Sequence, residues 1–180
     1  MGRDKALLEV GGEPLWRRQI RILQAAGAEE IRLALRPGQA PYDPAVPVVA
    51  DTVADAGPLA GIQAALQSQS EGWLLVLAVD LPRIGASWFA PLKAACRPGA
   101  GAVFRNQDGF EPLAAIYPAE ALGEAAARLQ RRQYRLQEFV AALVEAGRIA
   151  VLPLPAADRW QAENWNEASA VSPADPGPSA

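Results

Sequence analysis

The chain has 180 residues, of which 51% are hydrophobic and 21% charged, with a formal net charge of −3. This length and apolar content suffice for one domain around a single core, and the charge argues against a nucleic-acid binder, which carries a concentrated basic patch. The sequence has no histidine and one cysteine, Cys96, so Ser-His-Asp catalysis, an internal disulfide and Cys/His zinc sites are excluded. With no apolar run of membrane-spanning length and no signal peptide, we expect a cytoplasmic protein that binds no membrane.

Amphipathic and apolar segments alternate along the chain, in the order typical of a sheet covered by helices. The predicted helices are 14–26, 59–69, 88–96, 120–131 and 136–145. The predicted strands are 31–35, 46–50, 73–79, 102–105, 112–117 and 149–154. The run WLLVLAV at 73–79 is typical of a strand buried on both faces, so we expect it at the centre of the sheet.

This alternation predicts a doubly wound α/β domain with a mostly parallel sheet and helices on both faces. The turn Asn106-Gln107-Asp108-Gly109 predicts a hairpin that interrupts the βα rhythm. The domain is expected to cover residues 1–171. Residues 172–180 are rich in proline and poor in apolar side chains, which predicts a disordered tail.

An aspartate, Asp80, follows the most apolar of the predicted strands, in the segment Val79-Asp80-Leu81-Pro82. Ligands of open α/β sheets bind at the carboxyl ends of strands, and Mg²⁺ prefers oxygen donors. Asp80 is therefore the candidate metal ligand. The alternative is that Asp80 caps a turn initiated by Pro82.

A second segment, from Asp51 to Gly61, also follows a predicted strand and leads directly into a helix. The first turn of that helix offers unpaired backbone N–H groups to an anion, and Gly57 and Gly61 allow a ring or a phosphate to approach closely. The alternative is a purely structural role, in which Gly57-Pro58 is an ordinary loop before a helix and Gly61 is a packing residue. The residues leave both interpretations open.

The sequence begins Met1-Gly2-Arg3-Asp4-Lys5, followed by an apolar run. A glycine turn and a lysine near a strand end are where an α/β fold usually holds a nucleotide phosphate. This pattern makes Lys5 a candidate phosphate ligand, although no strand precedes it in the sequence.

Five segments together resemble the molybdenum cofactor guanylyltransferases, a family of nucleotidyltransferases. They are MGRDK at 1–5, Asp51 with GPLAGI at 57–62, VDLP at 79–82, EPLAAIY at 111–117 and NWN at 164–166. The resemblance covers about residues 1–170 and implies a nucleotide-diphospho-sugar transferase-like fold. It also implies magnesium-dependent transfer of GMP from GTP to the terminal phosphate of molybdopterin, with release of pyrophosphate.

The resemblance implies roles for individual residues. Lys5 and Asp80 match the catalytic positions, as the phosphate contact and the magnesium ligand. Asp51 matches an aspartate that contacts the nucleotide. The other matching positions belong to the loop beside the base and to an Asn-x-Asn pair, which meets the metal or the pterin phosphate: Gly57, Pro58, Leu59, Gly61, Asn164 and Asn166. For Asn166 the alternative is a helix cap.

A few further residues match the part of the family's site that holds the pterin, which is the acceptor of the GMP group. Arg131, Arg132 and Arg135 lie near the family's contacts to the acidic pterin, but exposed helix arginines are usually only solvated. Glu111 matches a hairpin near the same pocket, with an exposed strand residue as the alternative. The implied partners are GTP and molybdopterin, with molybdoenzymes or their chaperones as recipients, and a monomer is expected.

One departure from the family concerns the start of the chain. The family has a first strand and a Gly-rich loop ahead of the Met-Gly pair, and neither is present here. Because that strand is normally interior, its loss would leave ladder groups of two neighbouring strands unpaired. We therefore expect Met1 to be an internal methionine of a longer natural chain.

Two other functions remain open from the sequence. One is a catalytically silent subunit that binds the cofactor or a partner protein. The other is a related nucleotidyltransferase that uses CTP or a sugar phosphate. Turnover with GTP and molybdopterin would separate the guanylyltransferase from both.

Overall fold

The computed structural model describes residues 4–51, 53, 55–69 and 71–163. In this part of the chain the α-helices are α1 Leu15–Ala25, α2 Pro58–Gln67, α3 Phe89–Ala95, α4 Leu122–Gln130 and α5 Leu136–Glu145. The strands are β1 Glu9–Val10, β2 Glu13–Pro14, β3 Leu33–Leu35, β4 Val48–Ala50, β5 Trp73–Leu77, β6 Gly101–Asn106, β7 Gly109–Phe110, β8 Ala114–Pro118 and β9 Ile149–Pro153. The predictions for Asn164, Asn166 and residues 172–180 concern positions outside the described residues.

The largest sheet is mixed. Strand β8 lies between β5 and β6 and is antiparallel to both, β7 pairs antiparallel with β6, and β9 pairs parallel with β6. Strands β3 and β4 form a separate parallel pair. The α/β class predicted from the sequence is confirmed, and the antiparallel pairings arise where β8, the strand that follows Glu111, inserts between β5 and β6.

Helices cover both faces of the central sheet, as the sequence predicts. Val103 and Tyr117 point into a core shared with α2, α4 and α5. Phe104 and Ile116, the neighbouring residues on the same two strands, point into a core shared with α1 and α3. This alternation follows from the two-residue period of a strand, which sends successive side chains to opposite faces.

All five predicted helices are present, and most of the strands are shorter than predicted. The apolar faces explain the helices: α1 buries Leu15, Trp16 and Ile22 on one side, and its end is followed by Gly27 at φ 87°, as expected after a helix.

The β1–β2 hairpin was not predicted. Its turn, Gly11-Gly12, has φ of 62° and 80°, which is the backbone that a two-residue hairpin loop requires.

The prediction that residues 73–79 form the central strand does not hold among the described residues. Strand β5 pairs with β8 and lies at the end of its sheet. Trp73 is 46% exposed, and the rest of β5 is only half-buried. This strand is therefore more apolar than its partial burial requires.

Within the described residues, no helix combines the length and the hydropathy needed to cross a lipid bilayer.

Candidate functional site

A cavity of about 880 Å³ lies between the β3–β4 pair and strand β5, and α1 and α2 contribute to its walls. Its volume is in the range of small-molecule sites. Six residues predicted from the sequence as site residues line it: Lys5, Asp51, Gly57, Pro58, Gly61 and Asp80. Residues that are far apart in the sequence thus meet at one place.

Asp80 lies in the turn that follows β5 and is half-buried. Its carboxylate accepts no hydrogen bond from the described residues. The alternative that Asp80 caps a turn is therefore not supported. The fold leaves its oxygens available for a ligand in the cavity.

Helix α1 holds the loop that carries Asp80. The Gln19 amide Nε2 donates to the carbonyl oxygens of Ala78 at 2.8 Å and Leu81 at 3.1 Å. Arg18 Nε donates to the carbonyl of Pro82 at 2.8 Å. Gln19 is only 4% exposed, so its amide is shielded from water. The three bonds fix the backbone on both sides of Asp80.

Sequence reasoning missed Gln19, although a signal was present. Gln19 lies four residues after Leu15 and three before Ile22, both buried, so it occupies the apolar face of α1. A polar side chain on such a face needs hydrogen-bond partners once it is buried.

Lys5 begins a short 3₁₀ helix, Lys5–Leu7, whose N-cap is Asp4. One carboxylate oxygen of Asp4 accepts from the backbone N–H of Ala6 at 3.1 Å. The other accepts from Tyr42 Oη at 2.8 Å and from Gln39 Nε2 at 3.1 Å. These bonds attach the Lys5 segment to the loop that follows β3.

The Asp4–Tyr42 contact has a visible electrostatic consequence. Burial and the neighbouring Asp4 carboxylate raise the pKa of Tyr42 to about 12, so this phenol remains a hydrogen-bond donor at neutral pH. Tyr42 also stacks on Trp16, with ring centroids 5.8 Å apart. Neither Asp4 nor Tyr42 was predicted as part of the site.

Asp51 follows β4, and its backbone N–H donates to the carbonyl of Leu35 at 3.1 Å. Burial raises the pKa of Asp51 above its usual value, and the nearby Arg36 partly offsets this. A Cβ placed on Gly61 would lie 3.3 Å from Asp51 Oδ1 and 3.0 Å from the Ala34 Cβ. Gly61 therefore permits a close approach between α2 and the end of β4, which agrees with the alternative that it is a packing residue.

The N-terminus of α2 is shaped by Gly57, which has φ 64° and ψ −158°. This backbone conformation is essentially restricted to glycine. Pro58 occupies the first turn, where its missing N–H costs no helical hydrogen bond. Leu59, in contrast, is fully buried in the core and does not line the cavity, so only its backbone is near the site.

The residues predicted for the acceptor side do not line the cavity. Glu111 accepts a hydrogen bond from Asn106 Nδ2 at 2.7 Å, and burial, with a smaller contribution from Asp108, raises its pKa to about 7. Arg131, Arg132 and Arg135 are exposed, and Arg135 lies 3.6 Å from Glu138. For these arginines the solvated alternative agrees better with the structure.

The donor set of the cavity limits its chemistry. Among the described residues, no group of three or more His, Cys, Asp or Glu side chains is placed to hold a metal ion. A cation at Asp80 would need further oxygen ligands from elsewhere. Mg²⁺ bound by one or two carboxylates and by substrate phosphates has this arrangement.

Solved structures of other proteins share this arrangement of strands and helices. Molybdopterin-guanine dinucleotide biosynthesis protein A of Archaeoglobus fulgidus is similar with a TM-score of 0.67 at 19% identity, over 93% of this chain and 87% of that one. The 2-C-methyl-D-erythritol 4-phosphate cytidylyltransferase of Thermus thermophilus also gives a TM-score of 0.67 at 19% identity, over 92% and 89%. At this identity the comparison establishes the fold, which confirms the predicted fold class.

The sequence comparisons are more specific. The model of the MobA-like NTP transferase domain matches residues 1–147, and the chain belongs to this family. A protein of Opitutus terrae named probable molybdenum cofactor guanylyltransferase is 51% identical over 169 residues, 92% of this chain and 84% of that protein. A molybdenum cofactor guanylyltransferase of Pseudomonas putida is 34% identical over 124 residues, 67% of this chain and 64% of that protein. The family predicted from the five segments is confirmed, and the chain is a nucleotidyltransferase.

Proposed function

We propose that this protein transfers GMP from GTP to the terminal phosphate of molybdopterin and releases pyrophosphate. The observation that carries this proposal is the meeting of Lys5, Asp51 and Asp80 with the N-terminus of α2 in one cavity. The relatives named molybdenum cofactor guanylyltransferase support the choice of donor and acceptor.

The reaction needs no histidine or serine base. The attacking oxygen belongs to a phosphate that is already anionic, so catalysis depends on aligning two anionic groups and stabilising charge on the α-phosphate and pyrophosphate. The Lys5 ammonium supplies a positive charge. The first backbone N–H groups of α2 supply further donors for phosphate oxygens.

Asp80 is the residue that would hold a magnesium ion. Its carboxylate is free of hydrogen bonds from the described residues, and its oxygens are the donor type that Mg²⁺ prefers. When bound, the ion would neutralise phosphate charge. Gln19 and Arg18 hold the backbone on both sides of this residue through hydrogen bonds to its neighbours.

The preference for a guanine nucleotide rests on the loop before α2. A Cβ added at Gly57 would meet nothing within 4 Å, which leaves space for a flat base close to the backbone, and GPLAGI is one of the five segments that resemble the guanylyltransferase family. The cytoplasmic location, the monomeric state and the recipient molybdoenzymes remain predictions.

The proposal is tested by measuring pyrophosphate release from GTP, CTP and a sugar 1-phosphate with UTP, in the presence of Mg²⁺ and of molybdopterin where required. We expect release with GTP and molybdopterin only. Release with CTP or with the sugar phosphate would identify a different nucleotidyltransferase. Binding of molybdopterin with no release from any nucleotide would favour the silent subunit.

A further inference from the structure

The turn that carries Lys5 has little apolar packing of its own. It is a single turn of 3₁₀ helix, Lys5–Leu7, in which Ala6 is the buried residue, and Leu7 is 48% exposed. Burial therefore does little to fix its place. Because a lysine side chain is long and flexible, the position of the Lys5 ammonium depends strongly on the contacts that hold the backbone of this turn.

Asp4 connects this turn to the loop that follows β3. Its Oδ1 accepts from the Ala6 N–H inside the turn. Its Oδ2 accepts from the Tyr42 hydroxyl and from Gln39 Nε2, and Gln39 Nε2 also donates to Tyr42 Oη at 2.6 Å. Hydrogen bonds to a carboxylate are stronger than those between neutral groups. The three side chains of Asp4, Gln39 and Tyr42, here called the Asp4 network, thus hold the turn from outside it.

Tyr42 connects the Asp4 network to helix α1. Its ring stacks on that of Trp16 with an interplanar angle of 19°, and Trp16 is buried. Trp16 lies three residues before Gln19, so the two side chains are neighbours on the surface of α1. Gln19 holds the Asp80 loop. One helix therefore supports both the Lys5 turn and the Asp80 loop, and it sets them relative to each other.

The Asp4 network lies in the wall of the cavity. Asp4, Gln39 and Tyr42 line the cavity together with Lys5. Burial and the neighbouring Asp4 carboxylate raise the pKa of Tyr42 to about 12. The phenol therefore keeps its proton at neutral pH and remains a donor to Asp4.

We propose that Tyr42 is a positioning residue, which acts through Asp4 to set the Lys5 ammonium where it meets the pyrophosphate group of a nucleotide. This inference rests on the phosphate role proposed for Lys5. A turn that is already ordered in the free protein need not be ordered by the ligand, so less binding energy is lost. The Asp4 network thereby raises affinity for the anion through Lys5.

A double-mutant cycle in pyrophosphate binding tests this proposal. Calorimetry gives the dissociation constant of pyrophosphate, with Mg²⁺ present, for the wild type, Tyr42→Phe, Lys5→Ala and the double variant. Tyr42→Phe keeps the ring that stacks on Trp16 and removes only the hydroxyl. Tyr134→Phe is the matched control, because Tyr134 is half-buried and lies outside the described lining of the cavity. Thermal unfolding confirms that each variant is folded.

We expect Tyr42→Phe to weaken pyrophosphate binding by about 10-fold when Lys5 is present and by less than about 2-fold in the Lys5→Ala background. Tyr134→Phe should leave the dissociation constant unchanged. An equal loss in both backgrounds would show that Tyr42 acts independently of Lys5 and would overturn the proposal. So would a Tyr42→Phe variant with wild-type affinity, or a wild-type protein that binds no pyrophosphate.

Gln39→Leu repeats the cycle from the other donor to Asp4, and it leaves both the ring and the hydroxyl of Tyr42 in place. We expect the same dependence on Lys5, and a loss that is independent of Lys5 in both variants would contradict the proposal even if one of them is less stable. Every nucleotidyl transfer from a nucleoside triphosphate releases pyrophosphate, so the cycle can succeed in a protein that does not use GTP. Failure of the proposed guanylyl transfer is seen separately, in the release of pyrophosphate from GTP.

Discussion

At the scale of single residues, the site combines a half-buried carboxylate with a rigid support. Asp80 carries the carboxylate, and Gln19 and Arg18 bind the backbone around it. We therefore expect substitutions of Asp80 and substitutions of its supporting residues to have different effects. Removal of the Asp80 carboxylate should lower turnover alone. Removal of the hydrogen bonds from Gln19 should lower both turnover and stability.

Asp80→Asn should reduce magnesium-dependent turnover by about 100-fold or more, equivalent to about 3 kcal/mol of transition-state stabilisation. The melting temperature should change little, because the carboxylate makes no hydrogen bond with the described residues. Steady-state kinetics and thermal unfolding check both parts. Exposed Glu71→Gln is the matched control, and an Asp80→Asn enzyme with the control's activity would remove Asp80 from the proposed role.

Gln19→Met keeps the volume of the side chain but removes the donors to Ala78 and Leu81. The two carbonyls lose their partner in a buried place, so we expect the free energy of unfolding to fall by about 1–3 kcal/mol. The Mg²⁺ concentration for half-maximal rate should also rise, because the Asp80 loop is less fixed. A lower stability with an unchanged Mg²⁺ requirement would show that Gln19 is structural only.

The raised pKa of Glu111 leads us to expect that stability depends on pH. Its pKa is raised to about 7 by burial, so between about pH 4.5 and pH 7 the folded chain holds a proton that the unfolded chain releases. The free energy of unfolding should therefore fall as the pH rises through this window. In Glu111→Gln this part of the fall should be absent, and in exposed Glu145→Gln it should persist. Denaturant titrations at several pH values measure it, and identical profiles for wild type and Glu111→Gln would contradict it.

At the scale of elements, α2 and α4 offer a matched pair of helical glycines. Gly61→Ala would press a Cβ against Ala34 and Asp51, so it should lower both nucleotide affinity and stability despite the better helix propensity of alanine. Gly123→Ala meets nothing within 4 Å and should stabilise the fold by up to about 1 kcal/mol. Chemical denaturation and GTP binding of both variants check this, and a stabilised Gly61→Ala with normal binding would contradict the close approach.

The helices were predictable because their signal is local. Residues 136–145 carry an amphipathic spacing that places Phe139, Val140 and Leu143 on the buried side, and α5 begins and ends where the sequence predicts. Strand pairing is not local. The composition of β5 indicates burial on both faces, but it cannot indicate whether a neighbour pairs with its second edge.

The same distinction applies to the site. Lys5, Asp51 and Asp80 could be predicted because each lies in a short segment with a chemical meaning of its own. The support could not, because Gln19 meets the Asp80 loop across 59 positions of sequence and Tyr42 meets Asp4 across 38. Leu59, although part of the predicted segment, is directed into the core by the helical period that places Gly61 at the cavity.

At the scale of the whole molecule, the cavity lies between the β3–β4 pair and strand β5, and helices α1 and α2 contribute to its walls. This arrangement suits the joining of two phosphorylated compounds, since one wall carries the residues proposed for the nucleotide and the opposite wall carries Asp80.

The most direct measurement follows a radioactive phosphorus atom at the α-position of GTP, incubated with the protein, Mg²⁺ and molybdopterin. We expect the label to appear in a molybdopterin guanine dinucleotide, with one unlabelled pyrophosphate released per transfer, and to be absent with Asp80→Asn. A protein that leaves the label in GTP, or transfers it equally well without molybdopterin, would contradict the proposed guanylyl transfer.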